Sequence, residues 1–530
     1  MAREAPTIRV VWLRRGVQTA VLLLFFYLFL GTVEQPTNQP GAGVRLFFQL
    51  DPLAALASGL AAHAIAAGML LSLATLAVTM VFGRWFCGWI CPFGTLHHFF
   101  SSLLRGRVKD RIEAGYSRWH KAKYYALAAF LGGALLGANV VGWLDPLAFF
   151  FRSLATAVYP AVNHAIVSLF TWLYDASPGG GPLRVTAVSE PVYEFLRRHF
   201  LAVHQPHYFG NLLVGALFTE VVALNVLRAR FWCRYVCPLG ALLGLAAKYP
   251  VVRLRRNAGA CNDCRLCLAD CQGGASPGGQ WRPEECFYCF NCQSDCPPGA
   301  IRFELGRPRK SAPLDLGRRR MMACGAAGAA CALLFDTHPL GNRRSFNPAL
   351  VRPPGSLGEA EFLARCIRCG ECMKICPTNA IHPAALEAGV EGVWSPVMKM
   401  TLGYCEYECT LCSAVCPTGA IRPLDIAAKQ AIRIGLAYID RNRCLPYAYA
   451  RSCIVCEEHC PTPRKAIWLE EVEVLGPRGE RVTVKQPHVD PDLCIGCGIC
   501  TNKCVIEGDP AVLVSSVGET RNPGNGLLLA

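Results

Sequence analysis

Charged residues are scarce in this chain. Asp, Glu, Lys and Arg make up only 17% of its 530 residues, whereas 52% are hydrophobic. This composition excludes an intrinsically disordered chain, which combines high charge with low hydrophobicity. The length is sufficient for about three or four domains with a substantial buried core.

The motifs of several cofactors are also missing. The sequence has no CxxCH, since Glu457 follows the pair Cys453 and Cys456, and this argues against covalently attached c-type haem. It has neither a phosphate-binding loop nor a dinucleotide fingerprint. Chemistry on a bound nucleotide is therefore not expected.

Cysteine, by contrast, is abundant. The chain has 30 cysteines, most of them in short CxxC runs. Disulfide scaffolds are usually small secreted domains, so this pattern instead predicts thiolates that bind iron or zinc.

Apolar runs flanked by basic residues predict a membrane anchor in residues 1–248. The formal net charge is +15, but Lys and Arg lie beside apolar segments and form no single patch, so no nucleic-acid partner is expected. The charge bias predicts four spanning helices with both ends inside, and an external loop with an interfacial or re-entrant helix over 144–205. The predicted spans are 17–31, 52–82, 124–143 and 209–227.

An internal repeat divides this anchor. Each half contains a DPL triplet, beginning at Asp51 or Asp145, and then a CxxxCP motif. The CxxxC spacing places two sulfurs one helical turn apart, so the four thiols are predicted to converge across a pseudo-twofold axis as a possible additional redox or ligand site. The alternative is that they pack as small apolar residues at helix ends. The four cysteines are Cys87, Cys91, Cys233 and Cys237.

Residues 249–306 are predicted to form a two-cluster ferredoxin domain. They contain two runs with the C-x2-C-x2-C-x3-C spacing of bacterial ferredoxins, in which each [4Fe-4S] cluster takes three thiolates from one run and the fourth from the other. Zinc sites normally use two close pairs, so the triplet pattern favours iron. The predicted ligands are Cys261, Cys264, Cys267 and Cys296 for one cluster, and Cys286, Cys289, Cys292 and Cys271 for the other.

Residues 307–340 form a basic linker with a short apolar run, from Met321 to Phe335. As a helix this run is about 22 Å long, short of a hydrocarbon core of about 30 Å. Consecutive arginines before an apolar run resemble a twin-arginine signal, which exports folded domains. The alternative is an amphipathic linker on the lipid surface, with the C-terminal domain left in the cytoplasm.

Residues 341–530 carry four more cysteine quartets. Their thiolates suffice for four [4Fe-4S] clusters, which makes six clusters in the chain. The quartets are Cys366, Cys369, Cys372 and Cys376; Cys405, Cys409, Cys412 and Cys416; Cys444, Cys453, Cys456 and Cys460; and Cys494, Cys497, Cys500 and Cys504.

These motifs together resemble two known subunits joined in one chain. Residues 8–305 resemble the NapH-type membrane quinol dehydrogenase component of periplasmic nitrate reduction, and residues 316–515 resemble its NapG-type ferredoxin subunit, both of the polyferredoxin family. The resemblance implies an α-helical membrane anchor with small α+β ferredoxin-like domains. Likeness to four-cluster electron-transfer subunits favours exchange of fourth ligands between the first and fourth quartets and between the second and third, with adjacent pairing as the alternative.

The resemblance also implies a function. A protein of the bacterial inner membrane would oxidise quinol from the membrane pool and deliver single electrons to a periplasmic partner, a nitrate reductase-like enzyme or another oxidoreductase. The first ferredoxin pair would then be cytoplasmic and the C-terminal domain periplasmic. Electrons would need a path across the anchor, for which the CxxxCP thiols or quinone are the available carriers.

A quinone site requires an apolar slot with polar groups at the ring oxygens. The candidates are Asp51 and Asp145, which recur in both halves, and His97 and His98, which follow the first CxxxCP. His204 and His207 lie before the fourth predicted span. The alternatives are that each Asp caps a helix before a proline and that the histidines are simply solvated.

Two other functions stay open. One is reverse electron flow from a dehydrogenase into quinone, and the other is redox assembly or maturation of a metalloenzyme. Six clusters favour respiratory electron transfer, because an assembly or sensing protein needs only one or two.

Overall fold

The computed structural model describes residues 5–33, 40, 43, 45–104, 110, 115–176, 186–202, 205–306, 316–336 and 347–525. They form a helical domain, a small ferredoxin domain and a larger C-terminal ferredoxin domain. The main helices of the helical domain are Ala5–Leu30, Arg45–Gln49, Pro52–Ala62, Ser72–Phe82, Trp85–Trp89, Pro92–Leu103, Ala122–Leu135, Pro146–Ser153, Tyr159–Asp175, Thr186–His199, Asn211–Ala223 and Pro238–Ala246.

Two helices of the described residues are long and apolar enough to cross a membrane. They are Val10–Leu30 and Pro146–Asp175. The first coincides with the first predicted span. The second lies where an external loop was expected, and a π-helical turn, Leu154–Val158, makes it continuous. Both helices could span a membrane by their length and composition.

The other predicted spans are shorter helices. Within 52–82, helix Pro52–Ala62 ends at His63, which has a left-handed φ of 51°. The chain then turns back, because Thr75 of the next helix donates to the carbonyl of Leu50. In place of the single span predicted here, the structure has a short helix followed by a second helix that returns alongside it. The third and fourth predicted spans contain helices Ala122–Leu135 and Asn211–Ala223.

Matching caps show the internal repeat in the structure. Asp51 and Asp145 each accept backbone hydrogen bonds at a helix start, and each is followed by proline at the first helical position. The sulfurs of Cys91 and Cys237 do the same, accepting from Gly94 and Gly240 at 3.3 and 3.2 Å. A proline is tolerated there because its missing N–H would have no partner inside the helix.

The linker's apolar run is a helix, Arg318–Asp336, packed along helix Ala122–Leu135. A side chain at Gly132 would collide with the carbonyl of Gly325, and one at Gly328 with that of Ala129. The glycines therefore allow the two backbones to touch. Residues 307–315 and 337–346, which include part of the predicted basic linker, lie outside the described residues, as do 177–185 and His204.

The ferredoxin domains contain four antiparallel strand pairs. In the small domain β1 (Val252–Arg256) pairs with β2 (Ile301–Leu305), enclosing both cysteine runs. The C-terminal domain has β3 (Ile381–Pro383) with β4 (Pro396–Met398), β5 (Leu436–Ile439) with β8 (Val512–Ser515), and the hairpin β6 (Ile467–Leu475) with β7 (Arg481–Val489). Its short helices are Glu359–Arg365, Glu371–Ile375, Leu411–Val415, Ile426–Ala431, Leu445–Ala448, Val455–Glu458 and Ile499–Asn502, and those of the small domain are Leu266–Ala269 and Asn291–Ser294.

The two ferredoxin domains contact opposite ends of the N-terminal helix. Near its start, Arg14 donates to Asn291 of the small domain at 3.3 Å. Beyond its end, the carbonyl of Thr32 accepts from Lys374 of the C-terminal domain at 3.5 Å. The helix between Arg14 and Leu30 rises about 24 Å at 1.5 Å per residue, which approaches the thickness of a hydrocarbon core. The helical domain thus separates the two ferredoxin domains.

Candidate iron-sulfur centres and electron path

The small domain brings its cysteines together in the two groups that the spacing predicts. Burial raises the pKa of the Cys267 thiol, and the nearby thiols of Cys296, Cys264, Cys271 and Cys261 raise it further, to about 11. Cys267 therefore lies close to the three other cysteines of the first group, Cys261, Cys264 and Cys296. The second group lines a cavity of about 310 Å³ formed by apolar residues and by Cys271, Cys286, Cys289 and Cys292.

In the C-terminal domain, adjacent quartets exchange their fourth ligands. Burial raises the pKa of Cys372, and its neighbours Cys369, Cys366 and Cys416 raise it further. The converse holds for Cys412, whose burial and neighbours Cys405, Cys409 and Cys376 raise its pKa. The first quartet thus pairs with the second, and the favoured pairing of first with fourth is wrong.

The third and fourth quartets pair in the same way. One cavity of about 350 Å³ is lined by Cys444, Cys453, Cys456 and Cys504. Another, of about 340 Å³, is lined by Cys460, Cys494, Cys497 and Cys500. The physical reason is tertiary: β5 and β8, distant in sequence, pair antiparallel and so hold these two quartets against one sheet. The favoured pairing of the second quartet with the third is therefore wrong as well.

The cysteine groups fit [4Fe-4S] clusters. Three cavities of 310 to 350 Å³ each have four cysteines and otherwise mostly apolar walls. Among the described residues, no three Cys, His, Asp or Glu side chains converge on a site for a single metal ion. Thiols spread around a cavity suit a polynuclear cluster, whereas zinc draws its ligands to about 2.3 Å from one atom.

The centres of the C-terminal domain follow one another. The amide of Cys405, in the second quartet, donates to the carbonyl of Cys497, in the fourth, at 2.8 Å. The first two quartets share one hydrophobic core and the last two another. Neighbouring clusters would therefore be separated only by short stretches of ligand-bearing backbone.

The four CxxxCP thiols converge, as the repeat predicts. All four cysteines are buried. Cys91 lies within electrostatic reach of Cys87 and Cys233, and Cys237 within reach of all three others. The structure therefore forms one four-thiol site at the pseudo-twofold axis of the helical domain.

Two fully buried arginines flank the four-thiol site, and sequence reasoning missed them. Arg84 and Arg230 have no exposed surface, and both guanidinium groups lie over the ring of Phe287, at 4.8 and 5.1 Å. Arg84 also pairs with Glu285 at 3.0 Å, and Arg230 donates to the carbonyl of Cys87 at 3.2 Å. The signal was available, because each arginine precedes the first cysteine of its motif by three residues.

The flanking arginines also reach the small ferredoxin domain. Arg230 lies within electrostatic reach of Cys233 and of Cys289, a ligand of the second cluster. Arg230 adopts a left-handed backbone with φ of 52°, a conformation that costs a non-glycine residue about 1 kcal/mol or more. The strain is consistent with a side chain whose position is fixed by function.

The structure separates the four candidate quinone-site residues. Asp51 and Asp145 are fully buried and lie within electrostatic reach of each other. Each also caps a helix, which is the structural role that the sequence offers as the alternative. His97 is buried with its Nδ1 accepting from Asn225 at 2.7 Å, and His98 lines an open cleft on the other side of the same helix.

Three family models match the chain. A 4Fe-4S binding domain matches residues 65–109 and again 211–258, so it covers both CxxxCP motifs. A 4Fe-4S dicluster domain matches residues 365–420, and a second 4Fe-4S binding domain matches residues 487–504. These matches assign iron-sulfur binding to both halves of the protein.

Two relatives decide the family. The ferredoxin-type protein NapG of Escherichia coli is 34% identical over 214 residues, which are 39% of this chain and 88% of NapG. The methylamine utilization ferredoxin-type protein MauM of Methylorubrum extorquens is 34% identical over 222 residues, 40% of this chain and 96% of MauM. The chain belongs to the NapG and MauM family of ferredoxin-type proteins.

Further similarity to this polyferredoxin is partial. The regulatory protein NosR of Pseudomonas aeruginosa is 29% identical over 256 residues, 46% of the chain but only 28% of NosR. No solved structure matches the chain. Family and geometry together identify an iron-sulfur electron-transfer protein.

The ligand pairing predicts how iron is lost in double variants. Cys366→Ser with Cys416→Ser should remove one cluster, because both residues bind the same one. Cys366→Ser with Cys504→Ser should remove two, and therefore about four more iron atoms per chain. Iron analysis of the purified variants measures this difference. If the Cys366/Cys416 double variant instead lost two clusters and the Cys366/Cys504 double variant lost one, the first quartet would pair with the fourth.

Proposed function

We propose that this NapG-type protein oxidises membrane quinol and passes the electrons, one at a time, to a periplasmic oxidoreductase. The observation that carries the proposal is the placement of cysteine centres at both ends of the helical domain with a four-thiol site between them. Such a series gives electrons a route across the protein, which a maturation factor with one or two clusters does not need.

The helical domain is proposed to be a multi-pass anchor in the bacterial inner membrane. It exposes large apolar side chains that water would disfavour, among them Leu23, Tyr27, Leu73, Trp172 and Leu212. Arg14, Arg15, Arg118 and Arg228 belong to the segments around the small ferredoxin domain, which the charge rule assigns to the cytoplasm. The C-terminal domain, at the other end of the N-terminal helix, is then periplasmic.

The four-thiol site is proposed to hold a seventh centre. Its four buried thiols match the ligand number of a [4Fe-4S] cluster, and two buried guanidinium groups offset the negative charge that thiolates bring. It lies next to the second cluster of the small domain, since Arg230 reaches both Cys233 and Cys289. The path across the anchor that the sequence left open would pass through this site.

The chain's own residues position and insulate these centres. When bound, each [4Fe-4S] cluster accepts and releases one electron. Apolar walls exclude water from the ligand cysteines, and the aromatic rings of Trp232, Phe149 and Phe150 fill the core beside the four thiols. At the far end, Arg152 donates to the carbonyl of Arg368 at 2.8 Å and so fixes the first quartet against the helical domain.

Sidedness is tested with epitope tags at the two termini of the full chain in spheroplasts. Added protease should remove a C-terminal tag and leave an N-terminal tag intact. In the variant Arg319→Lys with Arg320→Lys, the C-terminal tag should become protected, because twin-arginine export needs both arginines. Protection of the C-terminal tag in the unaltered chain would contradict the periplasmic placement.

The seventh centre is tested by iron content. The purified protein should hold more than the roughly 24 iron atoms of six clusters, and Cys91→Ser or Cys237→Ser should lower the value to about that number. Cys331→Ser is the matched control, because Cys331 is exposed and belongs to none of the seven groups. Equal iron in all four proteins would show that the thiols hold no cluster.

Quinol oxidation is tested by electron paramagnetic resonance of the purified holoprotein. A menaquinol analogue should generate the signals of several interacting reduced clusters, to the extent that dithionite does. Dithionite reduction without quinol reduction would instead favour reverse electron flow or an assembly role.

A further inference from the structure

An open cleft lies where the helical domain meets the small ferredoxin domain. It encloses about 130 Å³ and runs between helix Pro92–Leu103 and the chain that follows helix Asn211–Ala223. Its polar wall is formed by His98, Ser101, Ser102 and Asn225.

The inner end of the cleft reaches an iron-sulfur ligand. Cys271 and Gln272 both line it. Cys271 is the fourth cysteine of the second cluster in the small domain, and Arg234 holds this backbone by donating to the carbonyls of Cys271 and Gln272 at 2.6 and 2.8 Å. A molecule in the cleft would therefore lie beside that cluster.

The mouth of the cleft is apolar. Leu104, Val226 and Leu227 line it and are 42%, 65% and 62% exposed. Exposed leucine and valine beside the basic residue Arg228 are typical of a membrane interface, where apolar side chains face lipid and cations face the headgroups. The cleft thus joins a lipid-facing entrance to a polar interior.

We propose that the cleft is the quinol-binding site, with the quinol ring between His98 and the Cys271 backbone and the isoprenoid tail leaving past Leu227. This inference rests on the proposed quinol oxidation and states where in the protein the quinol binds. A polar ring on a long apolar tail is the chemistry that matches both ends of the cleft. The site is on the cytoplasmic side, at the first cluster pair.

The reaction balances with the groups present. Oxidation breaks the two O–H bonds of the quinol and yields quinone, two protons and two electrons. His98 accepts the protons in turn and passes them to water at the open side of the cleft. The electrons would leave singly towards the [4Fe-4S] cluster that Cys271 is placed to ligate, and the external oxidoreductase would be the final oxidant.

The other three candidates for the quinone site do not line the cleft. Asp51 and Asp145 cap two helices in the core. His97 is buried and its Nδ1 accepts from Asn225. Of the four residues singled out by the sequence, His98 is the one that lines the cleft.

The test uses purified full-length holoprotein and a menaquinol analogue. Stopped-flow absorbance would follow cluster reduction in His98→Gln, which removes the proton acceptor, and in Ser102→Trp, which fills the cleft. Both rates should fall at least about tenfold, the lower end of general base effects. Leu103→Trp is the matched control, since Leu103 is 69% exposed and does not line the cleft. It should react like the unaltered protein.

Iron content and reduction by dithionite show that each variant is intact. Normal quinol reduction of both variants would overturn the cleft assignment while leaving quinol oxidation in place. Failure of the unaltered protein to react would instead overturn the proposed function itself. If Ser102→Trp loses iron, the unaltered holoprotein is labelled with a photoreactive azidoquinone instead. Labelling of residues 98–104 or 225–229 would support the cleft as the quinol site, and labelling elsewhere would refute it.

Discussion

Five arginines are fully buried where the helical domain meets the two ferredoxin domains. Arg14, Arg84 and Arg230 lie at one boundary, and Arg152 and Arg368 at the other. Burying a cation costs several kcal/mol unless opposite charge lies close by. At both boundaries the nearby groups of opposite charge combine cysteines with one carboxylate: Cys87 and Cys237 with Glu285 for Arg84, and Cys369 and Cys366 with Asp145 for Arg152.

This pairing of buried guanidinium groups with thiolate centres makes cluster binding part of the fold. Without metal, burial and neighbouring thiols raise the pKa of Cys456 and Cys497 to about 12, so these thiols would be protonated at neutral pH. Metal binding releases those protons and restores negative charge beside the cations. Assembly of the clusters and docking of the domains should therefore be coupled.

The sequence was most informative where structure is local. Cysteine spacing predicted the small domain's two groups, and the repeat predicted the convergence of four thiols. The pairing of the third quartet with the fourth depends on tertiary pairing of β5 with β8, which spacing alone does not encode. The short helix Pro52–Ala62 was missed because hydropathy averages over the left-handed turn at His63. The cleft could not be predicted from the sequence because its walls come from distant parts of the chain.

The placement of the cleft also bears on energetics. Under the proposed function, quinol oxidised beside the small domain would release its protons on the cytoplasmic side, while the electrons would travel outward through the four-thiol site. The inside of a bacterial membrane is electrically negative, so an electron moving outward goes downhill by about 2.3 kcal/mol per 100 mV. This gain would favour electron transfer from quinol into clusters whose reduction potentials lie below its own. A helical domain that holds its two groups of centres at opposite ends of a helix about 24 Å long is suited to use that field.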